Sequence, residues 1–100
     1  MMTTERDRIL REAIAIYGTA PQCLMMIEEM SELIKALCKR SRGEKWDQST
    51  LNAVLEEMAD VQIMLDQMKI IFGDPSEIEG AKIVRLESRI REHYSAGGDG

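Results

Sequence analysis

Two short acidic clusters are the residues of this chain best suited to chemistry. The first lies in Leu24-Met25-Met26-Ile27-Glu28-Glu29-Met30-Ser31-Glu32-Leu33-Ile34, and the second in Leu55-Glu56-Glu57-Met58-Ala59-Asp60-Val61. Neither contains histidine or cysteine, so each offers only hard carboxylate oxygens. Such donors suit Mg²⁺ or Mn²⁺ rather than zinc or copper. On a helix, Glu28, Glu29 and Glu32 fall within about 100° of one another. Glu28 and Glu32 are a like-charge pair one turn apart, which costs about 0.2–0.5 kcal/mol unless something offsets it. These glutamates lie opposite the main apolar arc of Ile27, Met30, Leu33, Ile34 and Leu37. A solvated acidic face has that same pattern, so the first cluster does not decide between water and a metal.

The second cluster is more informative. Its helix builds an apolar arc from Val54, Met58, Val61, Met64, Leu65, Met68 and Phe72. Glu57 projects inside that arc, between Val61 and Met64, and Asp60 sits at its edge near Ala53 and Ile71. Glu56 points to the polar side. An unpaired carboxylate inside an apolar stripe costs several kcal/mol, on the order of 3–5. Glu57 therefore pairs with a base, carries a raised pKa, or binds a cation. Asp60 is three residues further on, so the two carboxylates can converge. Facing acidic pairs on packed helices are a known way to build a divalent-metal site.

A third group is basic. Lys82, Arg85 and Arg89 line one face of the last helix beside Ile83, Leu86 and Ile90. They read either as a solvated face paired with Glu79 and Glu87 or as a phosphate clamp. Beside an acidic metal cluster the clamp gains weight, because a polyphosphate needs both metal and cations.

The elements that must carry these residues are four helices. The first is expected from Thr4 to Tyr17, with Thr4 and Asp7 as a capping box and Gly18 as the stop. Its expected buried side is Ile9, Leu10, Ala13, Ile14, Ile16 and Tyr17. The second starts near Pro21 and ends at Arg42 before Gly43. The third is capped by Ser49 or Thr50 and runs to Phe72, where Gly73 stops it. Asp74-Pro75-Ser76-Glu77 is a strong start signal for the fourth, which is expected to end near Tyr94. Residues 1–94 thus read as one all-α domain, a four-helix bundle, and residues 95–100 as a disordered tail.

Composition agrees. Eight Met, two Pro and only one Trp, two Tyr and one Phe favour helix over strand. A net charge of −5 excludes a general affinity for nucleic acid. No stretch reaches membrane-spanning length. Cys23 and Cys38 lie too far apart on one helix to pair, and read as free thiols of a cytoplasmic protein. The third helix also carries Leu55, Ile63 and Ile70 outside its main arc, a width that suggests a homodimer or homotetramer.

The pattern Glu28-Glu29-x-x-Glu32, a gap, then Glu57-x-x-Asp60 resembles the motif of the MazG-like, all-α nucleoside triphosphate pyrophosphatases. Lys82-x-x-Arg85-x-x-x-Arg89 is similar to that family's C-terminal basic pattern. The resemblance covers about residues 20 to 91. It implies a helical fold completed by oligomerisation. It implies Mg²⁺, with Mn²⁺ as a substitute, held by Glu29, Glu32, Glu57 and Asp60. Glu28 is implied either as a further ligand or, with Glu29, as a catalytic group orienting the attacking water. The implied reaction cleaves a (deoxy)nucleoside triphosphate to monophosphate and pyrophosphate, with Lys82, Arg85 and Arg89 on the phosphates. Two other functions remain open: a phosphoribosyl-ATP pyrophosphatase-like activity, and a non-enzymatic helical interaction or regulatory module.

Five further residues invite chemistry. Trp46, in a polar loop, either stacks on a base or anchors the loop. Asn52 either donates to a ligand or faces water. His93 reads as a last-turn residue beside the helix dipole. The two cysteines behave as small apolar side chains.

Overall fold

The computed structural model of the chain describes residues 4–41 and 47–97. It contains four helices: α1 (Glu5–Tyr17), α2 (Thr19–Ser41), α3 (Gln48–Phe72) and α4 (Ser76–Gly97). No strand occurs among the described residues. Trp46 and the stop expected at Gly43 lie outside them, as do residues 98–100.

The helix ends follow local chemistry. Thr4 accepts the Asp7 N–H at 3.0 Å and so caps α1. Gly18 ends α1 at φ 95°, a conformation open to glycine, and its N–H donates to the Ile14 carbonyl at 2.9 Å. Helix α2 starts at once at Thr19, two residues before the expected Pro21. Helix α3 is capped by Asp47 rather than by Ser49 or Thr50. The Asp47 carboxylate accepts the Thr50 N–H at 2.8 Å. That bond, the Thr50 hydroxyl and the Ser49 N–H hold its pKa below the ordinary carboxylate value. Aspartate outcompetes the hydroxyls here because its charge also meets the positive end of the helix. At the next junction Asp74 accepts the Ser76 N–H at 3.0 Å. Helix α4 then continues to Gly97, three residues past the expected end at Tyr94.

Helices α2 and α3 form the principal pair, and α1 packs on both. The pair is antiparallel: Gln22 meets Gln67, Glu29 meets Asp60, and Lys39 shares a groove with Thr50. The Gln22 amide donates to the Gln67 carbonyl oxygen at 2.6 Å, and both side chains are buried. A rotation of α2 that took Gln22 out of the seam would leave the buried Gln67 amide without this partner, so the bond favours the observed helix faces.

That choice of faces overturns one expectation. The α2 side chains at least partly covered are Gln22, Cys23, Met26, Glu29, Leu33 and Ala36. Apart from Cys23 they follow the alternating three- and four-residue spacing of a helix seam. Most of the arc expected to face inward is exposed: Ile27 62%, Met30 42%, Ile34 59% and Leu37 48%. The acids were placed opposite the core, yet Glu29 lies in the seam. Helix α2 has two adjoining apolar sectors, and α3 covers the one that contains Gln22.

The α3 face is closer to expectation, with Val54 and Met64 buried and Glu57 and Val61 half-buried. Met58, Leu65 and Phe72, expected in the same arc, are exposed. On α1 only Leu10 is buried; Ile9, Ile16 and Tyr17 are exposed against expectation. Arg6 fastens α1 to α3 through an ion pair with Asp66 at 2.6 Å. Burial raises the Asp66 pKa, but hydrogen bonds from Arg6 and Gln62 and the charges of Arg6 and Lys69 outweigh it and hold the carboxyl low.

Helix α4 packs on none of the other three. All its described side chains are exposed, including Ile83, Leu86, Ile90 and Tyr94. The radius of gyration is 18.2 Å, against about 13 Å for a compact chain of this length. Among the described residues only Leu10, Val54 and Met64 form a buried apolar core.

Candidate metal centre

The acidic motifs meet across the α2–α3 seam. One carboxylate oxygen each from Glu29, Glu57 and Asp60 lies within 4.8 Å of the other two. Glu29 and Glu57 are half-buried and Asp60 is exposed, so the trio opens to solvent at the Asp60 edge. Glu29 and Glu57 reach the seam because each occupies a core-facing turn of its helix. Asp60 follows Glu57 by three residues and therefore stands on the same side, one turn along.

Electrostatics make the trio costly when empty. The Glu29 pKa is raised, first by burial, then by the negative charge of Asp60 and a hydrogen bond shared with it. The charges of Glu57 and Glu28 add to the shift. No lysine or arginine lies within 4.0 Å of Glu57 among the described residues. The buried salt bridge that could have explained Glu57 is thus not formed there. A divalent cation fits the site chemically: three hard oxygens face one point, and Glu29 is held toward its protonated form by neighbours of its own sign.

The remaining expected residues are arranged as follows. Glu32 is outside the trio; it is exposed and forms a long ion pair with Lys35 at 3.8 Å. Glu28 is exposed beside Glu29, close enough to raise its pKa. Asn52 is exposed and accepts a hydrogen bond from Gln48 at 2.9 Å. Lys82, Arg85 and Arg89 are on α4, which does not pack against the seam, so the trio has no α4 cation beside it in its own chain. Cys23 is half-buried and Cys38 exposed, and no disulfide joins them.

Sequence reasoning passed over a groove lined by Glu32, Lys35, Lys39, Ser49, Thr50 and Glu57. A signal was present. Lys35 and Lys39 follow Glu32 by three and seven residues and so share its helix face.

No helix of the described residues is long and apolar enough to cross a membrane. Comparison of the chain with protein-family models, with curated proteins and with solved structures gave no match.

Proposed function

We propose that this chain is a divalent-metal-dependent nucleoside triphosphate pyrophosphohydrolase of the MazG-like kind. The observation that carries the reading is the convergence of Glu29, Glu57 and Asp60 within 4.8 Å across the seam, with no basic residue within ion-pair distance of Glu57 among the described residues. Three carboxylates gathered at one point, two of them half-buried, destabilise a fold that has no cation for them. A binding module with an acidic face has no use for a carboxylate between Val54 and Val61.

Glu29, Glu57 and Asp60 are the primary ligands in this reading, and Glu32 joins from one turn along α2. When bound, Mg²⁺ would screen the substrate's charge from the carboxylates, lower the pKa of a water molecule and stabilise the departing pyrophosphate. Glu28, exposed at the rim, orients the attacking water. Water cleaves the anhydride between the α and β phosphates, yielding a nucleoside monophosphate and pyrophosphate with release of a proton.

The chain acts as a homodimer or homotetramer in this proposal. Support comes from two uncovered apolar rows: Ile27, Met30, Ile34 and Leu37 on α2, and Ile83, Leu86, Ile90 and Tyr94 on α4. Lys82, Arg85 and Arg89 stand away from the trio of their own chain. As phosphate contacts they would serve the site of another copy.

The direct test is a panel of ribo- and deoxyribonucleoside triphosphates, with Mg²⁺ and with chelator, separating pyrophosphate from phosphate release. Metal-dependent pyrophosphate release with a monophosphate product is expected, and Glu57→Gln should abolish it. Turnover of phosphoribosyl-ATP alone would shift the substrate to that alternative. Absence of any turnover, together with no effect of Mg²⁺ on the melting temperature, would leave the helical interaction module standing.

A further inference from the structure

The carboxylate trio continues into a second feature of opposite character. Glu57 also lines a groove of about 340 Å³ between α2 and the start of α3. Its α2 wall presents Lys35 and Lys39, its α3 wall the residues Ser49 and Thr50, and Ala36 and Ala53 leave the space between them open. The lysines are one turn apart, about 6 Å of helix rise. Glu32 is the ion-pair partner of Lys35, at a long 3.8 Å. Lys39 has no carboxylate within 4.0 Å among the described residues. Asp47 already takes the Thr50 N–H and the Thr50 hydroxyl, so the α3 wall offers the Ser49 hydroxyl, with Glu57 at the trio end.

Along the seam the site thus changes from three converging carboxylates to two lysines, with Glu32 beside Lys35 and the Ser49 hydroxyl on the facing wall. A ligand that fits both ends carries metal-seeking oxygens at one point and further negative charge beyond it. A polyphosphate has that distribution, and lysine's compact charge suits it. We propose that this groove holds the pyrophosphate end of the substrate, with Lys35 and Lys39 as its cationic contacts. The proposal rests on the pyrophosphohydrolase reading and deepens it. It sets the substrate's direction: the bond to be cleaved lies over Glu29, Glu57 and Asp60, and the outer phosphates point along α2 toward Lys39. The phosphate contacts nearest the trio then come from the same chain and not from α4.

Calorimetry separates the proposal from the reading beneath it. Mn²⁺ alone is titrated first, then inorganic pyrophosphate in the presence of Mg²⁺, into the full chain and into Lys35→Gln, Lys39→Gln and the double variant Lys82→Gln/Arg85→Gln. Each α2 variant should weaken pyrophosphate binding about tenfold, the scale of one charge-assisted contact. The same variants should bind Mn²⁺ as tightly as the parent or more tightly, because a positive charge near the carboxylates has gone. A variant that merely damaged the fold would lose both. Unchanged pyrophosphate binding in both α2 variants, with Mn²⁺ still bound, overturns the groove assignment and leaves the metal site intact. A loss confined to the α4 variant overturns it in favour of α4. Failure of the parent chain to bind Mn²⁺ removes the pyrophosphohydrolase reading, and the groove assignment with it.

Discussion

Glu29→Gln should have opposite effects on stability with and without metal. In the metal-free protein Glu29 faces two carboxylates whose nearest oxygens lie within 4.8 Å. Two unit charges at that separation repel by about 0.9 kcal/mol even at the dielectric constant of water, and more in a half-buried seam. Removing two such repulsions stabilises the metal-free fold by about 1–2 kcal/mol. For a domain of this size that raises the melting temperature by about 5–10 °C. With Mg²⁺ at about a hundred times its dissociation constant the parent gains about 2.7 kcal/mol. The variant, one ligand short, gains much less. The variant should melt higher in chelator and the parent higher in saturating Mg²⁺. The pH dependence has a definite sign. A carboxyl whose folded pKa lies above its unfolded value holds its proton more tightly when folded. Its contribution therefore favours the folded state at low pH and is lost as pH rises through the folded pKa. In chelator, the parent's stability deficit relative to Glu29→Gln should shrink as pH falls from neutrality through the raised Glu29 pKa, and parent Mn²⁺ affinity should fall over the same interval. Differential scanning fluorimetry at several pH values reads both effects. If Glu29→Gln melts no higher than the parent in chelator, the carboxylates do not repel as the geometry requires. If Mg²⁺ raises both melting temperatures equally, the ion binds somewhere else.

Two further outcomes test the scaffold. Gln22→Leu should destabilise the chain by about 1–3 kcal/mol, because the Gln67 amide stays buried without its partner; the double variant Gln22→Leu/Gln67→Leu should recover most of that loss in chemical denaturation. Ile90→Glu changes a side chain that is 46% exposed on an unpacked helix, so it should leave helical content unaltered while shifting a dimer or tetramer toward monomer in sedimentation velocity at micromolar concentration. A parent chain that sediments as a monomer would refute the assembly.

The sequence determined the local structure of this protein well. Thr4 with Asp7, Gly18, Gly73 and the Asp74-Pro75-Ser76 start each act through hydrogen bonds to neighbours a few residues away, so the four helices, both ends of α1, the end of α3 and the start of α4 could be read without a fold. The position of Glu57 among apolar neighbours was legible for the same reason, since helix periodicity alone places it. What the sequence left open was which face of a helix meets which partner. Helix α2 has two adjoining apolar sectors, and the more apolar one was read as the core side. The buried Gln22–Gln67 hydrogen bond favours the other, and it joins residues 45 positions apart. That rotation carries Glu29 from the expected solvent side into the seam beside Asp60, and brings Lys35 and Lys39 to the groove. The position of α4 was equally out of reach, because its apolar stripe and basic edge suit either its own bundle or another chain. Periodicity reports that a face is apolar; only packing decides what covers it.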